Sequence, residues 1–142
     1  VIGPKGVLTK VRVLGPERNA TQVELSQTDC RTIGINAPVR DSGDLEGTPG
    51  IKLRGPLGEI EIPKGVIIAD RHIHMSPADA ERFGLKDGDR VKVKIDGVKP
   101  GVMEHVLIRS GEKHRLDMHI DTDDGNAFML KQGQLVTVLG KE

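Results

Sequence analysis

The chain has 142 residues with 21 acidic and 21 basic side chains, a length that suits one domain or two very small ones. Its basic residues do not cluster and aromatic residues are nearly absent, which argues against a nucleic-acid-binding protein. No stretch approaches the roughly 20 apolar residues that span a membrane. A single cysteine excludes an internal disulfide and fits a reducing, cytoplasmic location.

The first segment, Val1-Ile2-Gly3-Pro4, is typical of a turn already under way, and no initiator methionine precedes it. We therefore expect that an N-terminal part comes before this chain. Polar and apolar residues alternate at 10–13, which predicts a strand, and Gly15-Pro16 predicts the turn that follows it.

Two stretches, 25–35 and 75–85, resemble each other at a spacing of fifty residues. Each has a serine suited to a helix N-cap, an aspartate three residues later, and a glycine suited to a left-handed C-cap. The pattern predicts a helix of about two turns in each half of the chain and indicates a duplicated unit. Cys30 falls on the inner face of the first helix, where we expect it to pack and not to act as a nucleophile.

The segment 38–50 is too long and too rich in charged residues for a simple hairpin turn, and long loops in small domains are often functional. The guanidinium of Arg40 could bind a phosphate through two hydrogen bonds. The carboxylate of Glu46 could bind a metal ion, although the segment lacks the spacing of a calcium loop. A solvated surface loop is the alternative.

An apolar run at 66–69 leads into His72 and His74, as in a buried strand that emerges at its polar end. Residues two apart on a strand point to the same face, so both imidazoles can converge on one point. Such a pair is a common way to hold zinc. Two solvated histidines are the alternative.

A later strand, predicted at 114–121, places His119 on its polar face between Asp117 and Asp121, which could orient the imidazole. With the earlier pair, His119 would complete the three-histidine set of a catalytic zinc; the alternative is an exposed histidine on a solvated face. His105 and His114 lie among charged residues near turns, and we expect both to be solvated.

Further strands are predicted at 59–62, 90–95 and 135–139, and a last helix, capped by Thr122, is predicted to reach about residue 130. Many short strands with small helices predict a mainly β fold of two small β-barrels capped by helices. The first, at 1–66, would carry the Arg40/Glu46 loop, and the second, at 67–142, the His-x-His metal site.

Three motifs carry a resemblance to a known family. They are Val39-Arg40-Asp41-Ser42-Gly43-Asp44-Leu45-Glu46-Gly47, then Arg71-His72-Ile73-His74-Met75, and then Met118-His119-Ile120-Asp121-Thr122-Asp123. In this order they closely resemble the PduL-type phosphotransacylases (phosphate propanoyltransferases), over essentially the whole chain. The resemblance implies a reaction that interconverts a short-chain acyl-CoA (propanoyl or acetyl type) plus phosphate with acyl phosphate plus coenzyme A, as in propanediol utilization.

The resemblance also implies two β-barrels with two zinc ions. His72, His74 and His119 would hold one zinc, Glu46 would help to hold the other, and Arg40 would bind the substrate phosphate. Zinc would stabilise the coenzyme A thiolate as leaving group. A direct transfer of this kind needs no serine or cysteine nucleophile.

The departure from the family is that its members carry an earlier His-x-His motif, whereas His72 is the first histidine here. We therefore expect one zinc in this chain, incomplete barrels, and weak or no activity unless a separate N-terminal fragment supplies the motif. Open sheet edges favour self-association into a homo-oligomer. The family members that enter bacterial microcompartments do so with an N-terminal extension, so that location cannot be read from this chain.

Two other functions stay open. The segment 84–93 also resembles the turn-and-strand segment of double-psi barrels, many of which are non-catalytic recognition or packing modules. A zinc-dependent hydrolase is the second alternative, in which a bound water replaces the thiol. Metal binding separates the first alternative from the transacylase, and turnover of acyl-CoA without phosphate would favour the second.

Overall fold

The fold is described by a computed structural model that covers residues 1–142. Ten strands and three short helices make up the chain, so the prediction of a mainly β fold is confirmed. The strands form three separate sheets of three, five and two strands, none of which closes into a barrel, as expected for incomplete barrels. The chain divides into two units, Val1–Ala69 and Asp70–Glu142.

The first unit contains two sheets and one helix. Its elements are β1 (Val23–Glu24), α1 (Gln27–Ile33), β2 (Val39–Arg40), β3 (Ile51–Gly55), β4 (Gly58–Ile62) and β5 (Val66–Ala69). β5 lies between β1 and β2 and is parallel to both, while β3 and β4 form an antiparallel hairpin. Because a parallel central strand is covered on both faces, the run at 66–69 is continuously apolar rather than alternating.

The second unit contains one sheet and two helices. Its elements are β6 (His72–Met75), α2 (Pro77–Phe83), β7 (Arg90–Ile95), β8 (Gly101–Ser110), β9 (Asp117–His119), α3 (Thr122–Ala127) and β10 (Thr137–Lys141). The strand order is β10-β7-β8-β6-β9, and only the β6–β8 pair is parallel. The alternating strand predicted at 90–95 buries Val91, Val93 and Ile95 on one face, and these residues form the centre of the core.

The duplicated helices begin and end as predicted. The Ser26 side chain accepts a hydrogen bond from the Asp29 backbone N–H at the start of α1, and Ser76 does the same for Asp79 at the start of α2. Both helices end at a glycine with positive φ, 78° in α1 and 66° in α2, a conformation that costs glycine little. Cys30 is fully buried on the inner face of α1.

Other boundaries differ from the predictions. Residues 10–13 do not form a strand, because alternation does not supply a partner, and Val13 is 94% exposed. The cap of α3 is Asp121 rather than Thr122, and the helix ends at Ala127. The predicted boundary at 66/67 falls inside β5, and the first unit includes the whole of that strand. None of the three helices has the length and apolar character needed to cross a membrane.

Candidate functional site

The register of β6 and β9 places the predicted histidines together. In this antiparallel pair His72 lies opposite His119, and His74 lies opposite Asp117. Directly opposed residues project to the same face of a sheet, so the three imidazoles share one face. The alternate residues of β6, Ile73 and Met75, are buried in the core on the other face. The sheet therefore anchors the strand on one side and presents the histidines on the other.

The three imidazoles converge closely enough to bind one metal ion. One ring nitrogen from each of His72, His74 and His119 lies within 4.8 Å of the others. Nitrogen ligands around a tetrahedral zinc are about 3.3 Å apart, so small rotations of the rings would complete the site. Neutral imidazole is a preferred zinc ligand, and three protein ligands leave a fourth position open, as in catalytic sites. The donor set therefore fits zinc.

A hydrogen bond to the backbone orients the ring of His72. Its Nδ1 lies 2.8 Å from the carbonyl oxygen of Asp70. Since a carbonyl can only accept, Nδ1 carries the proton and Nε2 keeps the lone pair that a metal requires. The carboxylate of Asp70 is itself held by Arg90 at 2.5 Å. This arrangement is typical of the groups that support metal-binding histidines.

His119 has one of the two acidic neighbours that the sequence predicted. Its Nε2 lies 3.5 Å from an oxygen of Asp117. The other predicted neighbour, Asp121, caps α3 instead: its side chain accepts a hydrogen bond from the Asp124 backbone N–H at the start of that helix. His119 is exposed at the sheet edge and leaves the set open to solvent on that side.

The surroundings of His74 keep its ring neutral. Burial is the largest of the effects that together lower the pKa of His74 from 6.5 to about 4, and the neighbouring charges of His72, His114, His119 and Arg109 supply the rest. At pH 7 the imidazole therefore holds a free lone pair. A metal ligand must be in this state, because binding otherwise displaces a proton.

The structure corrects the prediction that His114 is solvated. Its ring is half-buried and stacks on His74, with the ring centroids 4.2 Å apart and the planes 15° from parallel. No sequence pattern signals this contact, because it depends on the turn that follows β8. His105 is exposed, as expected, and both its backbone N–H and its ring are hydrogen-bonded to Glu142.

In the first unit, Arg40 lies at the end of β2 with its Nε shielded from solvent and without a hydrogen-bond acceptor. This Nε forms an ion pair with a carboxylate oxygen of Asp44 at 3.4 Å. The adjoining loop is held by Gln22, whose side chain accepts from the Gly43 N–H at 2.8 Å and donates to Ser42 at 2.9 Å. A shielded donor atom that makes an ion pair but no hydrogen bond fits a site for an anion such as phosphate.

Glu46 is not part of a group of potential metal ligands. Its side chain is 87% exposed and forms an ion pair with Lys64 at 2.8 Å. The hydrogen bond from Lys64 lowers the pKa of Glu46 below its ordinary value. His72, His74 and His119 are the only set of three or more ligating side chains that converge. The structure thus unites three of the four predicted metal ligands.

Comparison with known proteins places these residues in a family. A family model described as phosphate propanoyltransferase matches residues 1–131. The chain is 54% identical to the phosphate propanoyltransferase of Thermotoga maritima, and the match covers 98% of the chain and 67% of that protein. It is 51% identical to the phosphate propanoyltransferase of Escherichia fergusonii, and this match covers 98% of the chain and 67% of that protein. The chain is 55% identical to the phosphate propanoyltransferase of Salmonella typhimurium, and this match covers 89% of the chain and 61% of that protein. The chain therefore spans about two thirds of the length of these curated relatives or slightly less.

Proposed function

This chain belongs to the phosphate propanoyltransferase family, and we propose that it is a phosphotransacylase that interconverts acyl-CoA plus phosphate with acyl phosphate plus coenzyme A. The observation that carries the proposal is the convergence of His72, His74 and His119 within 4.8 Å in a chain of this family. A short-chain acyl group of the propanoyl or acetyl type is the proposed substrate, in keeping with the name of the relatives.

We propose that the three histidines hold one zinc ion. The neutral ring of His74, the oriented tautomer of His72 and the open fourth position support this assignment. When bound there, zinc would lower the pKa of the coenzyme A thiol and stabilise its thiolate as the leaving group. Asp70 and Asp117 would keep the rings of His72 and His119 in position.

Arg40 is the proposed phosphate-binding residue. Its unsatisfied Nε and the rest of its guanidinium can hold two phosphate oxygens in a fixed orientation. Phosphate would then attack the acyl carbonyl carbon, the C–O bond would form, and the C–S bond would break with the electron pair passing to sulfur. Positioning of the nucleophile is the contribution of Arg40. No covalent acyl-enzyme is required, and the only cysteine is fully buried in the core of the first unit.

Glu46 supplies a single exposed carboxylate that is paired with Lys64. Its role as a ligand of a second zinc would depend on donors other than those that converge in this structure. We therefore propose one zinc per chain. Self-association into a homo-oligomer and residence in a bacterial microcompartment stay predictions.

The proposal is tested by measuring the zinc content of the purified chain together with release of coenzyme A from propanoyl-CoA, with and without phosphate. We expect about one zinc per chain. Release of coenzyme A should require phosphate and yield propanoyl phosphate, and it should be weak unless a separate N-terminal fragment supplies the earlier His-x-His motif. The His72→Ala variant should lose both, whereas His105→Ala, which changes an exposed histidine outside the set, should lose neither.

Each alternative has a distinct result in this experiment. Release without phosphate would indicate a zinc-dependent hydrolase. Absence of zinc and of any turnover would indicate a non-catalytic barrel module. A trapped acyl-enzyme would contradict the direct transfer of the acyl group to phosphate.

A further inference from the structure

A fourth histidine contacts the proposed metal site without belonging to its ligand set. His114 stacks on His74 at 4.2 Å between ring centroids, with the ring planes 15° from parallel. The rings of His72 and His119, by contrast, are tilted by 47° and 59° to the ring of His74. His114 therefore has a different relation to His74 from that of the two proposed co-ligands.

The stacked geometry argues against His114 as a fourth ligand of the same ion. The lone pair of an imidazole nitrogen lies in the plane of its ring, and zinc binds at about 2.0 to 2.1 Å along it. Two nearly parallel rings, stacked face to face, cannot both point such a lone pair at one ion at that distance. His72, His74 and His119 are tilted to one another and not stacked, so their in-plane lone pairs can point to one ion.

The backbone holds His114 against His74. Nδ1 of His114 lies 2.9 Å from the carbonyl oxygen of Arg109, the residue of β8 that pairs with His74 in the sheet. The turn before it is closed by a bond from the His114 N–H to the Gly111 carbonyl, and the Gly111 N–H donates to Met75. A Cβ on Gly111 would lie 3.2 Å from the His114 ring, closer than ordinary packing. The glycine therefore leaves space for this ring.

We propose that His114 is a positioning residue of the metal centre, whose ring fixes the orientation of the His74 imidazole before the metal binds. The inference rests on the proposed zinc site. A metal ligand that is already oriented loses less freedom on binding, and groups that support ligands commonly change metal affinity by 10-fold or more. Stacking between two rings supports an effect near the lower end of that range.

Two substitutions separate the effect of the stacked ring from the effect of the hydrogen bond to the backbone. His114→Phe keeps a flat ring over His74 but cannot bond to Arg109. His114→Asn keeps a donor near the position of Nδ1 but has no ring. The zinc dissociation constant of each variant, of His114→Ala and of the unchanged chain would be measured by competition with a chromophoric chelator. The absorption of the Co²⁺-substituted forms would report the ligand geometry, and His105→Ala serves as the matched control.

We expect His114→Asn and His114→Ala to bind zinc about 5- to 10-fold more weakly, with broadened Co²⁺ absorption, and His114→Phe to stay within about twofold of the unchanged chain. Gly111→Ala, which displaces the same ring from the backbone, should weaken zinc binding in the same direction. Circular dichroism of the zinc-free variants would show that each one is folded.

Other results would overturn the inference in distinguishable ways. If His114→Phe weakens zinc as much as His114→Ala, the histidine acts through its nitrogen atoms and not through stacking. If His114→Asn and His114→Ala both bind as the unchanged chain does, His114 has no role in the site. If the unchanged chain binds no zinc, the proposed centre itself is wrong and the inference fails with it.

Discussion

The histidine face of β6 and β9 and the charged loop at 38–50 are two candidate sites built in different ways. On the histidine face, the side chains come from regular strands, and the sheet register brings one ring nitrogen from each of three imidazoles within 4.8 Å of the others. In the loop, the charged groups pair with nearby residues of opposite charge, Arg40 with Asp44 and Glu46 with Lys64.

The difference shows how a site depends on its scaffold. A strand fixes the direction of each side chain through the pleat, so like residues can be held together although their charged forms repel one another. A loop does not fix the direction of its side chains in this way. In the loop at 38–50 the exposed charged side chains form ion pairs with residues of opposite charge. We therefore expect metal binding to depend on the histidine face and anion binding to depend on Arg40.

The largest expected effect is the loss of a histidine ligand. His74→Ala should abolish stoichiometric zinc binding and lower phosphate-dependent release of coenzyme A by about a thousandfold, because the leaving thiolate loses its stabilisation. Metal analysis and an assay of free thiol would measure the two quantities. Glu46→Ala is the comparison, and it should leave the zinc content unchanged. Equal loss of zinc in Glu46→Ala would mean that the loop carries the metal after all.

Loss of Arg40 should affect phosphate and not metal. Charged hydrogen bonds contribute about 1.5 to 3 kcal/mol, so Arg40→Ala should raise the KM for phosphate by about 10- to 100-fold at unchanged zinc content. Arg40→Lys should restore only part of this, because an ammonium group cannot form the paired hydrogen bonds of a guanidinium. Steady-state kinetics with phosphate varied would measure it. An unchanged KM in Arg40→Ala would remove the loop from the proposed site.

The two capped helices test whether the units share an equivalent scaffold. Ser26→Ala and Ser76→Ala each remove the hydroxyl that accepts the N–H of the third helical residue. Each should lower the free energy of unfolding by about 1 kcal/mol, measured by urea denaturation of the zinc-free chain. If only one substitution lowers the free energy of unfolding, the two serine caps do not contribute equally to stability although the helices resemble each other in sequence.

The smallest expected effect is the pH dependence that His74 adds to stability. Its pKa is about 4 in the folded chain against 6.5 as the ordinary value. The unfolded chain therefore binds a proton first, and stability of the zinc-free protein should fall as the pH decreases from 6.5 to about 4. Because the ring is only partly buried, the contribution should be about 1 kcal/mol or less. Thermal unfolding of His74→Gln across this range should show a weaker pH dependence, whereas His105→Gln should match the unchanged chain.

Local patterns were sufficient to predict much of the fold and three of the site residues. Serine and glycine at the ends of α1 and α2 act through bonds within a few residues, so the sequence alone identifies them. The period of two in β6 places His72 and His74 on one face, whatever elements lie beside the strand. The alternating residues 10–13 show the limit of such patterns, since no strand forms there.

The contact of His114 with His74 and the ion pair of Lys64 with Glu46 cannot be predicted from local sequence patterns. His114 is near His74 because β8 runs parallel to β6 and the turn at 111–114 brings the ring back over that strand. Lys64 pairs with Glu46 across 18 residues of chain. Neither contact leaves a periodic signal in the sequence, because each depends on where separate elements meet.

The sequence by itself determined the strand and helix types, the shared face of His72 and His74, and the motifs that mark the family, because these depend on the local geometry of the backbone and on residue identity. The tertiary structure alone decided that His119 lies opposite His72, that His114 stacks on His74 and that Glu46 pairs with a lysine. Those contacts follow from strand register and chain reversal, which bring together residues that are distant in the sequence.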